Sequence, residues 1–556
     1  MTLLTDHLPL LAGAPDGIKK LRELILELAV RGKLVAQDPS DEPAEELLGR
    51  LALKTPRAKD AGKKLIQQEF QSIDEKQKTF EIPDKWIWVR FGQVAQHNSG
   101  KTLDNGRNSG VLRDYITTSN LYWGYFKLEN VRQMLIREDE LERCTARKGD
   151  LLICEGGEAG RAAVWELESE VCFQNHIHRA RLRGDLVPRF FYRMFERLKA
   201  TGEIDQYRKG VGISNMSGKS LASIIFPLPP VAEQHRIVAK VDELMALCDT
   251  LESQQASAES AHVQLVQALL DSLTQASDAD DFAANWQRLS KHFDTLFTTE
   301  ASIEAFKQAL LQLAVLGKLV PQESSDEPAC AFLKKHGIPS KTHPLRGWAY
   351  VQFGSLGEII GGSTPSKANA EFWGGDMPWV SPKDMKRPLI EEAKDHITAK
   401  ALDETSLKIV PPNSLLMVVR GMILAHSFPV ALTAREVTIN QDMKALLVPD
   451  EISSYMLMYL QAVKSVMVGL VDQSSHGTCK LLSEKLWSHI VCLPPLAEQR
   501  RICATIEQLM SIVNRTSICL KDAEAMVTNL LESLVSEISA SENTPSSSVS
   551  AKKGRE

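Results

Sequence analysis

The chain has 556 residues, of which 43% are hydrophobic and 24% charged, a composition typical of a globular protein with several domains. It carries 65 Lys and Arg against 71 Asp and Glu, a net charge of −6, so any DNA-binding surface has to be local. No run approaches the ~18 apolar residues of a membrane span, and the start shows no basic stretch before an apolar core. We therefore expect a cytoplasmic protein that does not enter a membrane.

An internal repeat organises the chain. Residues 28–35 (LAVRGKLV) return as residues 313–320 (LAVLGKLV) at an offset of 285, and SDEPA follows both copies at the same offset. LPPVAEQHRI at 228–237 returns as LPPLAEQRRI at 493–502, at an offset of 265. The repeating unit is therefore predicted to be helix, linker, variable domain and helix.

Apolar spacing predicts the helices of this unit. Ile18, Leu21, Ile25 and Leu28 form the stripe of an amphipathic helix, and Gly32 is placed to cap its end. Heptad spacing after each Leu-Pro-Pro predicts a coiled-coil helix, and we expect residues 237–251 to pair antiparallel with residues 502–534. The predicted coil and partner-docking positions are Glu233, Gln234, Ile237, Val241, Leu244, Glu498, Gln499, Ile502, Ile506 and Leu509.

Between the helices, short β-like runs are bounded by Gly, Asn and Pro, as at residues 151–154 and 415–419. This texture predicts two α+β domains. The predicted segments are an N-terminal helix and charged linker (1–85), a first variable domain (86–228), central helices and linker (229–347), a second variable domain (348–492), a C-terminal helix (493–540) and a disordered tail (541–556).

Polar residues in loops and at strand ends are the candidate site. Lys, Asn and Gln donate hydrogen bonds to phosphates or base edges, and glycine-containing loops allow a close approach of the backbone. We expect Asn98, Ser99, Gly100 and Lys101 to form a polar loop in the first variable domain. The candidates in this domain are Asn98, Ser99, Lys101, Thr118, Asn120, Gln174, Asn175, Arg208 and Lys209. Those in the second are Ser363, Thr364, Lys383, Asn440, Gln441 and Ser475. Ordinary hairpin turns, half-buried strands or bonds to the local backbone would give the same pattern.

Catalytic and metal motifs are not predicted. Gly100, Lys101 and Thr102 match the end of a nucleotide-binding loop, but Ala95 stands where that loop requires glycine. No amino-methylation motif, methyl-donor loop, helicase motif or convincing nuclease set follows. A metal site at Cys172, His176 and His178 lacks a second ligand pair, and the cysteines contain no C-x-x-C.

With two copies of Pro-Pro-x-Ala-Glu-Gln-x-Arg-Ile and of Gly-Lys-Leu-Val around dissimilar domains, the chain resembles the specificity subunit of type I restriction–modification enzymes. The resemblance implies two target-recognition domains, related by a pseudo-two-fold axis and separated by long conserved antiparallel coiled-coil helices. Each domain would read one half of a split sequence in double-stranded DNA. The helices would dock two modification (methyltransferase) subunits in a complex with restriction (translocase/nuclease) subunits. It also implies a non-catalytic chain, with methyl donor, ATP and Mg²⁺ confined to partner subunits.

Local charge gives partial support for this interpretation. Residues 86–227 carry 21 Lys and Arg against 17 Asp and Glu, whereas residues 231–302 carry 4 against 12. Residues 348–492 carry 13 against 15, so the second domain either clusters its basic side chains or depends on partners for DNA affinity. Two rival functions stay open at this point: a coiled-coil scaffold that does not bind DNA, and an enzyme such as a nuclease.

Overall fold

The computed structural model describes residues 13–53, 72–103, 109–209, 214–473 and 479–540, with the backbone alone for residues 534–540. It contains two compact units: unit 1 is Met1–Ser257 with Glu524–Glu556, and unit 2 is Ala258–Ala523. Within the described ranges, no helix combines the length and apolarity needed to cross a membrane. The predicted tail at 541–556 and part of the predicted linker lie outside the described residues.

The end of the C-terminal helix, whose bounds are given below with unit 2, belongs to unit 1. Unit 1 also contains six complete helices and the start of a seventh within its described residues. They are α1 (Gly17–Val30), α2 (Ala44–Leu53), α3 (Phe91–Val94), α4 (Leu141–Cys144), α5 (Pro188–Ala200), α6 (Gly218–Ser223) and α7 (Val231–Thr274). Its strands are β1 (Ile87–Arg90), β2 (Ala95–Ser99), β3 (Val111–Ile116), β4 (Arg132–Ile136), β5 (Thr145–Ala146), β6 (Leu151–Cys154), β7 (Gly156–Gly157), β8 (Ala162–Val164), β9 (Val171–Phe173), β10 (Ile177–Leu182), β11 (Ser214–Asn215) and β12 (Ile225–Leu228).

Two four-stranded sheets dominate unit 1, in the orders β2-β10-β6-β8 and β4-β3-β9-β5. Strands β3 and β9 run parallel, with Ile116 beside Phe173. The carboxyl ends of both strands therefore lie at the same edge, which brings together turns that are distant in sequence.

The core of unit 1 joins the N-terminal helix to the first variable domain. Leu21 and Ile25 of α1 are buried in the same apolar cluster as Phe191 of α5. Gly32 has φ +69°, and the Lys33 amide donates to the Leu28 carbonyl at 2.9 Å, which closes the helix end. The helix and glycine cap predicted from the apolar stripe are thus confirmed.

Unit 2 repeats this organisation. Its helices are α8 (Ala279–Lys291), α9 (Phe293–Leu296), α10 (Glu300–Val315), α11 (Ala329–Lys335), α12 (Ala399–Glu404), α13 (Asp450–Ala462), α14 (Lys464–Gly469), α15 (Ser483–Trp487) and α16 (Leu496–Ala540). Its strands are β13 (Ser340–Thr342), β14 (Ala349–Gln352), β15 (Glu358–Gly361), β16 (Trp373–Val380), β17 (Leu389–Ile390), β18 (Asp395–Ile397), β19 (Leu415–Val418), β20 (Val430–Thr433), β21 (Thr438–Ile439), β22 (Met443–Leu447), β23 (Val471–Gln473), β24 (Cys479–Leu481) and β25 (Ile490–Leu493).

The main sheets of unit 2 have the orders β15-β22-β19-β20-β17, β18-β16-β21 and β13-β14-β25. Strand β16 runs parallel to β21, with Val380 beside Ile439. As in unit 1, a parallel strand pair places two distant turns at one sheet edge.

The long helices α7 and α16 begin immediately after the two Leu-Pro-Pro segments, as predicted, and the boundary between units falls inside each of them. In unit 1, Leu531 of α16 is buried in the same cluster as Leu244 of α7. In unit 2, Val266 of α7 is buried in the same cluster as Ile502 and Ile506 of α16. The antiparallel pairing expected between residues 237–251 and residues 502–534 stays a prediction.

Candidate nucleic-acid interface

The carboxyl ends of β3 and β9 form a polar edge in unit 1, which we call polar edge 1 and define as Lys101, residues 117–120, Gln174 and Asn175. Backbone hydrogen bonds hold its segments together. The Gln174 amide donates to the Ile116 carbonyl at 3.0 Å, and the Lys101 amide donates to the Phe173 carbonyl at 2.9 Å. These bonds bring together candidate residues from three separate parts of the sequence, near Lys101, Thr118 and Gln174.

Unit 2 contains an equivalent polar edge 2, defined as Ser363, Thr364, residues 381–384, Asn440 and Gln441. Here the Asn440 amide donates to the Val380 carbonyl at 3.0 Å, and the Ser363 amide donates to the Ile439 carbonyl at 3.0 Å. The two edges share one backbone frame and differ in the side chains that the frame carries.

A glycine makes the close approach possible in each frame. A Cβ atom on Gly100 would lie 2.1 Å from the Phe173 carbonyl oxygen, and one on Gly362 would lie 1.8 Å from the Asn440 carbonyl oxygen. Both distances are far below van der Waals contact with backbone atoms, so only glycine fits.

Three side chains of polar edge 1 are available to a ligand. Thr118, Gln174 and Asn175 are half-buried, and their side chains make no hydrogen bond with the part of the chain that the structure describes. Amide groups of this kind donate to and accept from base edges. Their contact with DNA stays a prediction.

Asn98 and Ser99 lie elsewhere than expected. The sequence placed them in a polar loop, but they are residues of β2, paired with Arg179 and His178 of β10, so the loop prediction is wrong. The Asn98 amide, oriented to satisfy both neighbours, accepts from the Arg179 guanidinium at 2.9 Å. The ladder to β10 explains the difference, because a strand pairing between distant segments leaves no local signal.

Lys101 is tied to an acidic partner. Its Nζ lies 2.6 Å from both Glu140 carboxylate oxygens, and both side chains are largely buried. The hydrogen bond from Lys101 lowers the pKa of Glu140 below its ordinary value. In this structure the ammonium group joins polar edge 1 to the segment before α4.

Asn120 shapes the turn rather than protruding from it. It is 5% exposed, and its Oδ1 accepts from the Thr117 amide at 2.9 Å. Asp384 does the same in unit 2, where its Oδ2 accepts from the Ser381 amide at 2.8 Å. These side chains mimic a backbone turn and fix the residues between them.

Polar edge 2 presents a different set of side chains. Lys383 is exposed and makes no ion pair with a described residue. Thr364 donates a hydrogen bond to the Gln441 side chain, whereas Asn440 is buried and its Oδ1 accepts from the Asp442 amide at 3.1 Å. The Ser406 hydroxyl donates to the Ser363 hydroxyl at 3.2 Å. Lys383 is therefore the most available cation of this edge.

The last candidates precede β12 and β25. The Arg208 guanidinium donates to the Ala159 carbonyl at 2.8 Å and pairs with Asp205 at 2.7 Å. Lys209 is exposed and makes no ion pair with any residue described. Ser475 lies outside the described residues.

The motif residues at the start of each long helix anchor that helix to its own unit. Glu233 accepts from the Trp86 indole at 2.9 Å, and Glu498 accepts from the Trp348 indole at 3.1 Å. Gln234 and Gln499 donate to the Pro229 and Pro494 carbonyls at 3.0 and 2.8 Å. These four side chains are buried, so they hold the unit together and are not exposed to a partner.

The other predicted coil positions are also covered within their units. Ile237, Val241, Leu244, Ile502 and Ile506 are buried, and Leu509 packs against the core of unit 2.

Comparison with known proteins gives the family. The model of the type I restriction modification DNA specificity domain matches residues 83–259 and 346–519. The chain is 31% identical to the type I restriction enzyme EcoEI specificity subunit of Escherichia coli and 29% identical to the EcoAI specificity subunit, in each case over 93% of both chains. The chain belongs to the type I restriction–modification DNA specificity family.

A solved structure agrees with this assignment of the fold. A chain from a study of complex assembly and conformational transition of the type I R-M system matches with a TM-score of 0.50 at 18% identity, covering 83% of this chain and 99% of that one. The predicted fold class is confirmed, with two α+β recognition domains in a specificity protein that recognises a bipartite DNA target.

One group of residues beside polar edge 1 was not predicted from the sequence. Tyr122, Tyr125, Lys127 and Arg161 form an aromatic and cationic cluster directly after the turn at Asn120. The signal was present in the letters YWGYFK at 122–127, where aromatic residues alternate with glycine and lysine next to a predicted contact.

Proposed function

We propose that unit 1 reads one half of the bipartite target through polar edge 1 and that unit 2 reads the other half through polar edge 2. The observation that carries this assignment is the shared backbone frame, which holds different side chains in the two units. Gln174 and Asn175 in unit 1 correspond in place to Asn440 and Gln441 in unit 2. A common frame with exchanged donors and acceptors is suited to reading two different short sequences.

The test is a pair of double variants in a host that carries the complete restriction–modification system. Gln174→Ala with Asn175→Ala should relax or change one half of the methylated sequence and leave the other half unchanged. Thr364→Ala with Gln441→Ala should affect the other half. Methylation-pattern sequencing measures both results, and loss of both halves with either variant would refute the division between units.

We also propose that exposed apolar residues of the long helices dock the modification subunits, two copies to each chain. In unit 1 these residues are Leu247 of α7 and Leu530 of α16. In unit 2 they are Ile512 and Leu265, which are related to the first pair by the repeat offset of 265. Two equivalent apolar sets would fit two copies of one partner.

Subunit stoichiometry tests the docking proposal. Leu247→Asp with Leu530→Asp should reduce the bound modification subunits from two to one, and Ile512→Asp with Leu265→Asp should do the same. Gln254→Asp, at an exposed polar position of α7, is the control for an added charge. Mass photometry of the mixed subunits gives the counts, and full assembly by both double variants would exclude these residues as docking sites.

The chain on its own is proposed to be non-catalytic, with methyl donor, ATP and Mg²⁺ acting in the modification and restriction subunits. Among the described residues, no group of three or more His, Cys, Asp and Glu side chains is arranged to hold a metal ion. The purified chain should neither transfer methyl groups to DNA nor cleave it. Methyl transfer by the chain alone would overturn this part of the proposal.

A further inference from the structure

An aromatic hairpin, residues 121–127, directly follows the turn of polar edge 1. Leu121 and Phe126 form an antiparallel bridge, and the Tyr122 amide donates to the Tyr125 carbonyl at 2.9 Å. At the tip, Gly124 has φ +79° and its amide donates to the Ala162 carbonyl at 3.0 Å. The tip is therefore attached to β8 as well as to its own base.

The base of the hairpin is fixed from below. Asn120 donates through Nδ2 to the Lys127 carbonyl at 2.9 Å, and the Lys127 amide donates to the Asn120 carbonyl at 2.8 Å. Leu121 is fully buried, and the Phe126 ring packs edge-on against Trp165 with centroids 4.9 Å apart. Hydrogen bonds and apolar packing thus hold the hairpin in place, and such preorganisation lowers the entropy cost of binding.

The outer surface of the hairpin is aromatic and basic. The Tyr122 and Tyr125 rings stack with centroids 5.1 Å apart, and Tyr125 is 51% exposed. The Lys127 ammonium lies 4.7 Å from the Tyr122 ring centroid and makes no ion pair with a side chain in the described ranges. An ammonium and a phenol are both hydrogen-bond donors to phosphate oxygens, and exposed rings pack against sugars.

Arg161 joins this surface to polar edge 1. Its guanidinium donates to the Thr118 carbonyl at 2.7 Å and lies 5.5 Å from the Tyr122 ring centroid. The Glu158 carboxylate lies 3.3 Å from the Arg161 guanidinium and neutralises much of its charge. Arg161 therefore links the two segments, whereas Lys127 is a cation without an ion pair among the described residues. The side chains predicted to meet bases and those of the hairpin are parts of one rigid surface.

The aligned positions of unit 2 carry no equivalent pair. At the offset of 264 that aligns the two turns, Lys386 and Leu389 occupy the positions of Tyr122 and Tyr125. The stacked tyrosines are therefore not part of the frame that the two units share.

We propose that the aromatic hairpin contacts the phosphodiester backbone of duplex DNA beside the half-site of unit 1. The Lys127 ammonium and the Tyr125 hydroxyl donate hydrogen bonds to phosphate oxygens. The inference rests on the proposed function of polar edge 1 and adds a contact that carries affinity without base preference. Duplex DNA is favoured as the ligand because its dense phosphate charge complements an unpaired ammonium on a pre-formed surface.

The test uses the full chain assembled with its modification subunits and measures DNA affinity as a function of salt. Lys127→Ala should reduce the slope of log K against log salt by about 0.9, the value for one phosphate contact, with equal losses on target and non-target duplexes. Lys148→Ala, which removes an exposed lysine paired with Glu168, is the matched control and should leave the slope unchanged. An unchanged slope for Lys127→Ala overturns the proposal.

Tyr125 variants separate the hydroxyl group from the ring. Tyr125→Phe should weaken binding slightly and Tyr125→Ala several-fold, with the methylated sequence unchanged. If Tyr125→Ala instead reduces assembly with the modification subunits in the absence of DNA and leaves the salt slope unchanged, the hairpin binds protein and the proposal is wrong. Failure of the underlying function is distinguishable, because the wild-type complex itself would then show no sequence preference.

Discussion

Glu498 in unit 2 is a buried carboxylate with a hydrogen-bond partner at one of its two oxygens among the described residues. It is 1% exposed, its Oε2 accepts from the Trp348 indole, and its Oε1 has no hydrogen-bond partner among the described residues. In unit 1 the equivalent Glu233 also accepts from Gln37. Gln322, which holds the place of Gln37 in the repeat, donates to the Gly317 carbonyl instead.

This difference has a consequence for stability. Burial raises the pKa of Glu498 from 4.5 to about 7, opposed by the Trp348 hydrogen bond and by Arg501. The folded state therefore prefers the protonated acid. The contribution of Glu498 to the unfolding free energy is fully present below its unfolded pKa and is lost as the pH rises through the folded pKa, a change of about 3 kcal/mol.

Glu498→Gln removes the charge and keeps the shape. The unfolding free energy of unit 2 in the variant, relative to wild type, should rise between about pH 5 and pH 8 by up to about 3 kcal/mol. Hydrogen exchange measured by mass spectrometry in peptides around Trp348 and the start of α16 reports this unit locally. Because the full chain has two compact units, a local readout is preferable to a single melting temperature.

Glu233→Gln is the control for this experiment. Its amide would face the Gln37 amide donor, so one hydrogen bond is lost and unit 1 should be destabilised at low pH. Burial also raises the pKa of Glu233 above its ordinary value, so this loss should become smaller as the pH rises, and the two variants differ by the Gln37 hydrogen bond. A constant difference between Glu498→Gln and wild type from about pH 5 to pH 8 would refute the reasoning.

Two further substitutions, each with a control variant, test the packing and the frame. Leu244→Ala should destabilise unit 1 by about 2–5 kcal/mol, because the side chain is buried in the core. Leu247→Ala, one turn further along α7, is the control and should change the unfolding free energy little, because Leu247 is exposed. Chemical denaturation measures both values. Gly100→Ala should distort polar edge 1 and abolish recognition of one half-site, since its Cβ would meet the Phe173 carbonyl at 2.1 Å. Gly49→Ala in α2 is the control, because no atom lies within 4 Å of a Cβ at that position. This variant should leave the methylated sequence unchanged and should leave the melting temperature unchanged or raise it.

The helices and the repeat could be predicted from sequence because their signals are local. The stripe through Leu21 and Ile25 and the heptads after each Leu-Pro-Pro need only the helical period to be recognised. Gly32 was predictable for the same reason, since a helix end requires a left-handed residue within one turn.

The candidate site was predicted only in part, because its geometry depends on pairings between distant segments. The parallel pairing of β3 with β9 places Gln174 next to Ile116, and no periodicity in the sequence indicates that pairing. The ion pair between Lys101 and Glu140 crosses 39 residues, so the burial of that lysine had no local signal. Residue type identified polar groups, and tertiary contacts decided which of them are free.

The backbone frame of the polar edges has an evolutionary consequence. The carbonyls of Ile116 and Phe173 in unit 1, and of Val380 and Ile439 in unit 2, accept hydrogen bonds from backbone amides, so the segments are held in place irrespective of the side chains that they carry. With polar edge 1 reading a half-site as proposed, substitutions at Gln174 or Asn175 should alter the groups presented to a base at little cost in folding. The fold of such a scaffold tolerates substitution of the side chains that would determine specificity. New specificities should therefore be reachable one substitution at a time.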